Sequence, residues 1–376
     1  MPPTPEFTAR ELARLRMQAL GLAGDLDTHR TVEGVVQHHL AMQAQDFRAS
    51  RWAIGSRVAG SVDADVLVAY DEGRIVRSWP MRGTVHVVQA RDLPWMLELM
   101  GRRALSGVKR RWESLGIDEV MLERARDVAT ELLQGGGRAI RSEFTKALAG
   151  AGLDMTGQRA YHTVWYLSQT GTLVQGPTRN GEQELVLLDE WITDPPKLGR
   201  DEALAELGRR YLAARGPATV EDMVHWSGLT KTDCRKAFDA NSDALVEVRG
   251  PGGPFMVPAV NLERYDPGSP AVDRSVLALA AFDEHLLGYR VRECVLDPEH
   301  ATLVDPGRNG VFRWTIVVGG QVVATWKRTR RTHYTLVEVQ PFHPLPPKLR
   351  PVVEAALGAW AIFDGTTLRV RWPDVG

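Results

Sequence analysis

The order helix, helix, helix, strand pair recurs along this chain, and that recurrence constrains the fold more than any other feature. Apolar residues at helical spacing predict helices over residues 7–20, 31–42 and 63–70, and alternation around Pro80 predicts strands within 75–88. Thr8 and Glu11 have the spacing of a capping box, and Thr31 is the expected N-cap of the second helix. This order is typical of a winged-helix module.

The same order follows twice more. Gly135-Gly136-Gly137 and Gly216-Pro217 predict breaks between helices, and Asn180-Gly181 predicts a hairpin turn. The predicted elements are helices over 122–133, 141–150 and 156–170, a hairpin within 173–188, helices over 201–214, 220–226 and 231–237, and a strand over 245–248. Repeated modules of this kind predict nucleic-acid binding, although winged helices also serve as protein-interaction and purely structural modules.

Strands dominate the last part of the chain. The predicted elements are strands over 277–282, 311–318, 322–326, 334–339 and 367–372, a tight turn at Gly319-Gly320, and a helix over 351–361. We therefore predict an α+β fold with tandem winged-helix modules around a β-rich C-terminal domain, which is a sheet or a barrel. The expected modules cover residues 1–115, 116–199 and 200–262, and the β-rich domain covers 263–376.

Several classes of protein are excluded by what the sequence lacks. No long apolar run and no apolar N-terminal segment occur, so we expect a cytoplasmic protein that does not contact a membrane. Cys234 and Cys294 are expected to be small buried residues rather than a disulfide. No P-loop, dinucleotide-binding or metalloprotease motif is present, and His39 lies on the apolar stripe of its helix, so no cofactor or metal site is expected.

Two basic tracts stand out in a chain whose formal net charge is −1. Neither 306–337 nor 99–112 contains an acidic residue. Such tracts predict local phosphate-binding surfaces, although each is also compatible with an ordinary solvated face. The candidate DNA-binding residues are Arg313, Lys327, Arg328, Arg330 and Arg331 in the first tract and Lys109, Arg110 and Arg111 in the second.

Two short constellations are candidates for chemistry. In Gln43-Ala44-Gln45-Asp46, extended backbone would project both carboxamides to the same side. Asp46 either adds negative charge to that site or caps the segment that follows.

The second constellation lies within residues 81–88. There, strand alternation places Arg82, Thr84 and His86 on one face. These three side chains either bind substrate or form a satisfied internal network.

At these residues the sequence resembles the AlkZ/YcaQ-like bacterial winged-helix DNA glycosylases. The resemblance extends from about residue 12 to the C-terminus. It rests on 36–46 (VQHHLAMQAQD), 81–86 (MRGTVH), 216–229 (GPATVEDMVHWSGL), 281–292 (AFDEHLLGYRVR) and the hairpin around 319–326.

The resemblance implies both a fold and a site. The implied fold is tandem winged helices around a β-rich domain. Gln43 and Gln45 match the Gln-hydrophobic-Gln motif of the AlkZ-like branch, so the resemblance implies that they hold the catalytic water; the YcaQ-like branch has an acidic residue in the second position. A basic hairpin contacts DNA in this family, which fits residues 313–331, and bulky lesions are removed without full base flipping.

Two carboxamides suffice only for a narrow chemistry. A carboxamide orients water but accepts a proton poorly, so the leaving group must already be activated. Purines alkylated at N7 or N3 carry a positive charge that weakens the glycosidic bond. We therefore expect a monomeric glycosylase that hydrolyses this bond in double-stranded DNA, acting on simple, bulky or cross-linked cationic adducts, with self-resistance to a DNA-alkylating metabolite as an attractive role.

Two other functions stay open at this point. A non-catalytic winged-helix DNA-binding protein, such as a transcriptional regulator, would usually require a two-fold dimer, and no coiled-coil heptad is visible. A protein-interaction module without nucleic acid agrees with the near-neutral charge but not with the acid-free tract over 306–337.

Overall fold

The computed structural model describes residues 4–23, 31–266 and 275–373, and it contains both helices and strands. The elements up to residue 115 are α1 (Ala9–Ala19), α2 (Val32–His39), β1 (Ala41–Gln43), α3 (Phe47–Gly55), α4 (Asp63–Asp71), β2 (Ile75–Met81), β3 (Thr84–Gln89), α5 (Leu93–Met96), a π-helical turn (Leu97–Gly101), α6 (Arg102–Ser106) and α7 (Lys109–Leu115). Those from 119 to 191 are α8 (Glu119–Leu133), β4 (Ala139–Ile140), α9 (Arg141–Gly150), α10 (Arg159–Gln169), β5 (Leu173–Arg179), β6 (Glu182–Leu187) and α11 (Leu188–Trp191).

The remaining elements complete the chain. Those from 200 to 263 are α12 (Arg200–Arg215), α13 (Val220–Ser227), α14 (Lys231–Asp239), β7 (Leu245–Gly250), β8 (Gly253–Pro258) and α15 (Ala259–Glu263). Those from 276 onward are β9 (Val276–Leu279), α16 (Glu284–Leu287), α17 (Ala301–Val304), β10 (Trp314–Val318), β11 (Gln321–Arg330), β12 (Thr335–Pro341), α18 (Arg350–Phe363) and β13 (Leu368–Arg371).

Local signals account for many of these boundaries. Thr8 and Glu11 form the predicted capping box at α1, and the Thr31 hydroxyl accepts the backbone N–H of Gly34 at the start of α2. The turn between β5 and β6 falls at Asn180-Gly181, where both residues have positive φ, as a tight hairpin requires. These three predictions are confirmed.

Contacts divide the chain into two units. The first unit comprises 1–66, 205–226 and 230–376, and the second comprises 67–204 and 227–229. In the second unit, five strands are neighbours in the order β3, β2, β5, β6, β4. The short strand β4 lies between α8 and α9 in sequence and pairs antiparallel with β6.

The first unit contains a five-stranded sheet in the order β13, β12, β11, β10, β9. All neighbours are antiparallel except β12 and β13, which are parallel. The predicted β-rich region is therefore a sheet with β9 and β13 at its edges, and α18 packs beside β9. A separate hairpin pairs β7 with β8, and Ala218, just before α13, bridges to Met256 of β8.

The core of the first unit joins α1 to both of these sheets. Leu12 and Met17 of α1 are buried with Phe255 of β8 and Val317 of β10. The Gly319-Gly320 turn lies against the same helix, because a Cβ placed at Gly320 would lie 3.1 Å from Met17 Sδ and 3.2 Å from Ala13 Cβ. The turn is consequently buried rather than exposed.

Three sequence predictions of helices need correction. The helix expected over 31–42 ends at His39, because Leu40 takes a φ of 62° and the chain continues as β1. Helix α3 was not predicted, and neither were the helices between Leu93 and Leu115.

Cys234, Cys294 and His39 are buried, as expected. Within the described residues, no helix is long and apolar enough to cross a membrane.

Candidate active site

Gln43, Ala44 and Gln45 form the connection between α2 and α3. The positive φ of Leu40 turns the chain out of α2, and β1 brings it to Gln43 in extended conformation. Asp46 then begins α3, since its Oδ1 accepts the backbone N–H groups of Arg48 (2.9 Å) and Ala49 (3.0 Å). The capping interpretation of Asp46 is thereby confirmed.

The two carboxamides contact each other. Gln43 Nε2 donates to Gln45 Oε1 over 3.2 Å, and Gln43 Oε1 accepts the backbone N–H of Gln45 over 3.0 Å. Gln43 is buried, Ala44 is fully buried and Gln45 is exposed. The arrangement gives a pair of neighbouring amides, one fixed inside the protein and one open to a ligand.

A buried ion pair fixes the backbone that carries these glutamines. Glu284 Oε1 accepts the backbone N–H of Gln43 (3.0 Å), and its Oε2 accepts Arg215 Nη2 (2.7 Å) and Trp226 Nε1 (3.2 Å). Arg215 also donates to the carbonyl oxygens of His39 and Ala41, each over 2.9 Å. Because the Glu284 carboxylate and the Arg215 guanidinium are bonded to each other and to the backbone, these buried charges hold residues 39–43 in place.

A second buried ion pair joins Arg57 to Asp283, the residue before Glu284. Both carboxylate oxygens of Asp283 accept from Arg57, at 2.8 and 2.9 Å, and Oδ1 also accepts the backbone N–H of His285. Burial raises the pKa of Asp283, but the Arg57 charge and these hydrogen bonds outweigh it and hold the pKa below its usual value. Arg57 also donates to Leu20 O and Ala53 O, so this pair ties the end of α3 to the start of α16.

Two neutral histidines complete the buried surroundings. His38 Nε2 lies 2.7 Å from Ala19 O, and burial lowers the pKa of His38 to about 4, with the Arg215, Arg57 and Arg210 charges acting in the same direction. Burial likewise lowers the pKa of His285 to about 4. Imidazoles of this kind are neutral hydrogen-bonding partners rather than proton donors at neutral pH.

An open cleft begins at Asp46. It has a volume of about 500 Å³, and its lining includes Asp46, Phe282, Arg313, Trp314, Lys327 and Gln340. Arg328 stacks on Trp314 at 4.0 Å. Burial lowers the pKa of Arg328, whereas the carboxylates of Asp46 and Asp364 act in the opposite direction. We call this cation- and aromatic-lined opening the basic cleft.

Comparisons with known proteins identify the family. A family model described as DNA glycosylase AlkZ-like matches residues 36–363. The chain belongs to the AlkZ-like DNA glycosylase family. This confirms the family resemblance seen in the sequence, and the protein is an enzyme of DNA repair, a DNA glycosylase.

The sequence match and the structure match of this glycosylase both come from Streptomyces sahachiroi. The interstrand DNA cross-link repair glycosylase of Streptomyces sahachiroi is 26% identical over 312 residues, which cover 80% of this chain and 83% of the relative. The solved structure of Streptomyces sahachiroi DNA glycosylase AlkZ matches with a TM-score of 0.79 at 25% identity, covering 98% of this chain and 100% of that one.

The glycosylase does not place Arg82, Thr84 and His86 on one strand face. Arg82 has a φ of 54° and forms, with Gly83, the turn between β2 and β3, so the strand alternation expected through Arg82 is broken. His86 is fully buried in β3, which favours the internal-network interpretation for it. Arg82 instead lines a pocket of about 460 Å³ together with Arg103, Tyr161 and Trp165.

The basic hairpin also differs from the expectation. The predicted pairing is present, with Trp314 opposite Trp326. Its Gly319-Gly320 turn is buried, however, and Arg313, Lys327, Arg328, Arg330 and Arg331 lie at the opposite end. The exposed Arg330 and Arg331 lead into the connection between β11 and β12, so the exposed basic tip belongs to that hairpin.

The second basic tract lies on a helix. Lys109, Arg110 and Arg111 are exposed on α7, in the second unit. The Arg111 side chain donates to Gln158 over 2.7 Å. Their exposure is compatible with phosphate contact, and their role in DNA binding stays a prediction.

Sequence reasoning missed the roles of Arg57, Arg215, Asp283 and Glu284. The block 281–292 was noticed only as part of a family resemblance. One signal could have found the two acids, because Asp283-Glu284 is followed by Leu286-Leu287 in a strongly apolar region, and buried carboxylates need cationic partners. The partners themselves lie too far away in the chain to be identified from spacing.

Proposed function

We propose that this glycosylase excises purines alkylated at N7 or N3 from double-stranded DNA by hydrolysis of the N-glycosidic bond, with Gln43 and Gln45 positioning the water. The observation that supports this proposal is the contact between the two carboxamides on a backbone held by Glu284 and Arg215. A fixed pair of amides has no strong base, and it suits a leaving group that needs no protonation.

The proposed reaction has one bond broken and one formed. The bond between C1′ and N9 of the purine breaks, and its electron pair neutralises the positive charge that alkylation at N7 or N3 placed on the ring. The carbonyl oxygens of Gln43 and Gln45 stabilise the oxocarbenium-like sugar by their dipoles and orient a water molecule. The water oxygen then bonds to C1′, and its proton leaves to solvent.

Asp46 has two compatible roles in this proposal. Both capping hydrogen bonds go to Oδ1, so capping α3 does not engage Oδ2. Asp46 also lines the basic cleft beside Gln45. Its negative charge would stabilise the same developing cation as the amide dipoles, in addition to starting the helix.

The basic cleft and the tip at Arg330 and Arg331 are the proposed DNA contacts in the first unit, with Lys109, Arg110 and Arg111 in the second. Phosphates would be held by these cations, whereas Trp314 and Phe282 offer apolar surface in the cleft that Asp46 lines. That surface suits adducts larger than a methyl group. We therefore extend the substrate class to bulky adducts and interstrand crosslinks, the lesion in the name of the Streptomyces sahachiroi relative.

We also infer the tandem winged-helix organisation. It is supported by the repeated order α8, β4, α9, α10, β5, β6, in which the strand between the first two helices pairs with the last strand. The bridge between Ala218 and Met256 repeats this arrangement for α12, α13, α14, β7 and β8. We expect a monomer, with the substrate duplex as its binding partner.

Base release from a duplex containing N7-methylguanine tests the proposal. The wild-type protein should liberate the free base, and Gln45→Ala and Gln43→Ala should slow release by roughly 10²–10³-fold, by analogy with loss of one group that stabilises a transition state. Gln45→Glu retains a carbonyl oxygen and should retain measurable excision.

Gln134→Ala is a matched control, because Gln134 is an exposed glutamine in the second unit. It should release base at the wild-type rate. Each variant should still bind the duplex in a fluorescence anisotropy titration. Full activity in both Gln43→Ala and Gln45→Ala would contradict the assignment, and tight binding without base release by the wild type would contradict the proposed substrate class.

A further inference from the structure

Three metal-ligating side chains meet on the first unit, away from the glutamines. Glu299 and His300 belong to a short 3₁₀ turn (Pro298–His300), and His343 follows the end of β12. One oxygen of Glu299, Oε1, lies 3.3 Å from His300 Nε2 and 3.5 Å from His343 Nε2. Their potential ligand atoms all lie within 4.8 Å of one another.

The two distances to Glu299 Oε1 lie near the edge length of a coordination tetrahedron. Two ligand atoms that each lie about 2.0–2.1 Å from one Zn²⁺ at a tetrahedral angle are separated by roughly 3.4 Å. Both distances to Glu299 Oε1 lie near that value, whereas a good hydrogen bond between imidazole and carboxylate would be shorter. Two imidazoles and one carboxylate also form a donor set that zinc and related transition metals prefer.

The ligands are held in place before any metal binds. Asp297 Oδ1 accepts the backbone N–H of Glu299, which fixes the 3₁₀ turn. The His300 ring stacks on Phe342 with centroids 4.6 Å apart and an interplanar angle of 22°. Phe342, next to His343 in the chain, donates its backbone N–H to Val323 O over 3.0 Å, so the ligand-bearing segment is anchored to β11.

We propose that Glu299, His300 and His343 bind a divalent transition-metal ion, Zn²⁺ in the first instance, with solvent in the remaining position. The His300 side chain is only 13% exposed, whereas Glu299 and His343 are 63% and 71% exposed, so the cluster is open to an ion from solvent. The bound ion would cross-link the 3₁₀ turn to the end of β12 and stabilise the sheet that carries the basic cleft. The sequence had suggested no metal site because the two histidines lie on elements that are distant in the chain.

Metal binding to the full-length, tag-free and chelator-treated protein tests this proposal. Isothermal titration with Zn²⁺ should show one site, and Co²⁺ should give the intense visible absorption of a tetrahedral complex. Affinity should fall as the pH decreases, because the ligands must be deprotonated. Zn²⁺ should also raise the unfolding temperature.

Two variants locate the ion. Since loss of an indirect partner of a metal ligand costs about 10–100-fold in affinity, loss of a direct ligand in His343→Ala or Glu299→Gln should cost at least that much and should abolish the Co²⁺ spectrum. His333→Ala removes an exposed histidine outside the cluster and should change neither readout. All three substitutions are at exposed positions, and far-UV circular dichroism verifies their fold.

The possible results distinguish a metal site at these residues from its absence. A site lost in His343→Ala and Glu299→Gln but kept in His333→Ala supports the proposal. It is overturned if Zn²⁺ does not bind, which would leave a carboxylate shared by two imidazoles, or if the two ligand variants bind it as tightly as the wild type.

Discussion

The buried ion pairs and the basic cleft use charge in opposite ways. Arg57, Arg215, Asp283 and Glu284 are almost completely buried, and each acid is bonded to an arginine. In the basic cleft, Lys327 is exposed and its carboxylate partner Glu338 is shared with Arg371. Buried charges are tolerated only when they are paired, whereas exposed cations stay available to a ligand. Charge in the first group therefore holds the backbone of Gln43, whereas charge in the second is the proposed contact with DNA.

Removing one member of a buried ion pair should have the largest effect on stability. Glu284→Ala leaves the Arg215 guanidinium buried without its carboxylate, so we expect a loss of about 3–5 kcal/mol in the free energy of unfolding. Urea denaturation monitored by tryptophan fluorescence measures this loss.

Glu123→Ala is the matched control, because Glu123 pairs with Arg126 on an exposed helix face. A surface pair of this kind contributes about 0–1 kcal/mol. Equal losses in the two variants would remove the distinction between the buried and the exposed charges.

Acid should destabilise the fold through two buried histidines that stay neutral in the folded protein. His38 and His285 have folded-state pKa values of about 4, below the unfolded value of about 6.5. As the pH falls below about 6.5, the unfolded chain binds protons that the folded protein does not, so stability should fall by about 1.4 kcal/mol per pH unit for each histidine until about pH 4.

Unfolding free energies measured between pH 8 and pH 4.5 check this prediction. His38→Gln should make the decline shallower by about one proton, whereas His333→Gln, at an exposed position, should leave the slope unchanged. An unaltered slope in His38→Gln would mean that His38 is protonated in the folded protein.

Removing cations from the exposed tip should weaken DNA binding without affecting stability. If Arg330 and Arg331 each contact a phosphate, the double alanine variant should reduce the slope of log K against log salt concentration by about 1.8. Fluorescence anisotropy with an undamaged duplex at several salt concentrations measures the slope.

The control for this pair is Arg209→Ala, which removes an exposed arginine that pairs with Glu206 on α12. It should leave the slope unchanged. A wild-type slope in the double variant would show that the tip does not contact phosphate.

Asp46 lies where the two groups of charges meet, and its substitutions should have the smallest effect on stability. Asp46→Ala removes the cap of α3 and should cost about 1 kcal/mol, whereas Asp46→Asn retains a capping side chain and should cost less. Excision assays on both variants then separate the two roles. If Asp46→Asn retains full excision, the residue serves only as a cap.

The sequence predicted best those local features, such as caps and turns, that depend on neighbouring residues. The capping box at Thr8, the Thr31 cap and the Asn180-Gly181 turn depend on side chains and dihedrals within a few positions, and all three are present in the structure. Gln43 is likewise extended, at the end of β1, whereas Gln45 lies in a bend beyond that strand. By contrast, helix α3 was not predicted although Asp46 was a candidate cap, because its packing depends on remote contacts such as that between Gly55 and Phe363.

The features that could not be predicted from the sequence depend on long-range contacts. The pairing of Glu284 with Arg215, and of Asp283 with Arg57, joins residues from separate parts of the chain, and no local pattern specifies either partner. The buried Gly319-Gly320 turn is another example, since only its packing on α1 shows that the exposed basic end of β11 lies elsewhere. Tertiary burial, rather than propensity, decided each of these features.

The hydrogen bond from the Gln43 backbone to Glu284 has a consequence for biosynthesis. A ribosome synthesises Gln43 and Gln45 long before it synthesises Glu284, which accepts the Gln43 backbone N–H. A nascent or truncated polypeptide that stops short of residue 284 would therefore carry the two glutamines without a rigid geometry. Competence to cut a glycosidic bond would thus be acquired late, after most of the protein has been translated, and prematurely terminated products would leave the genome untouched.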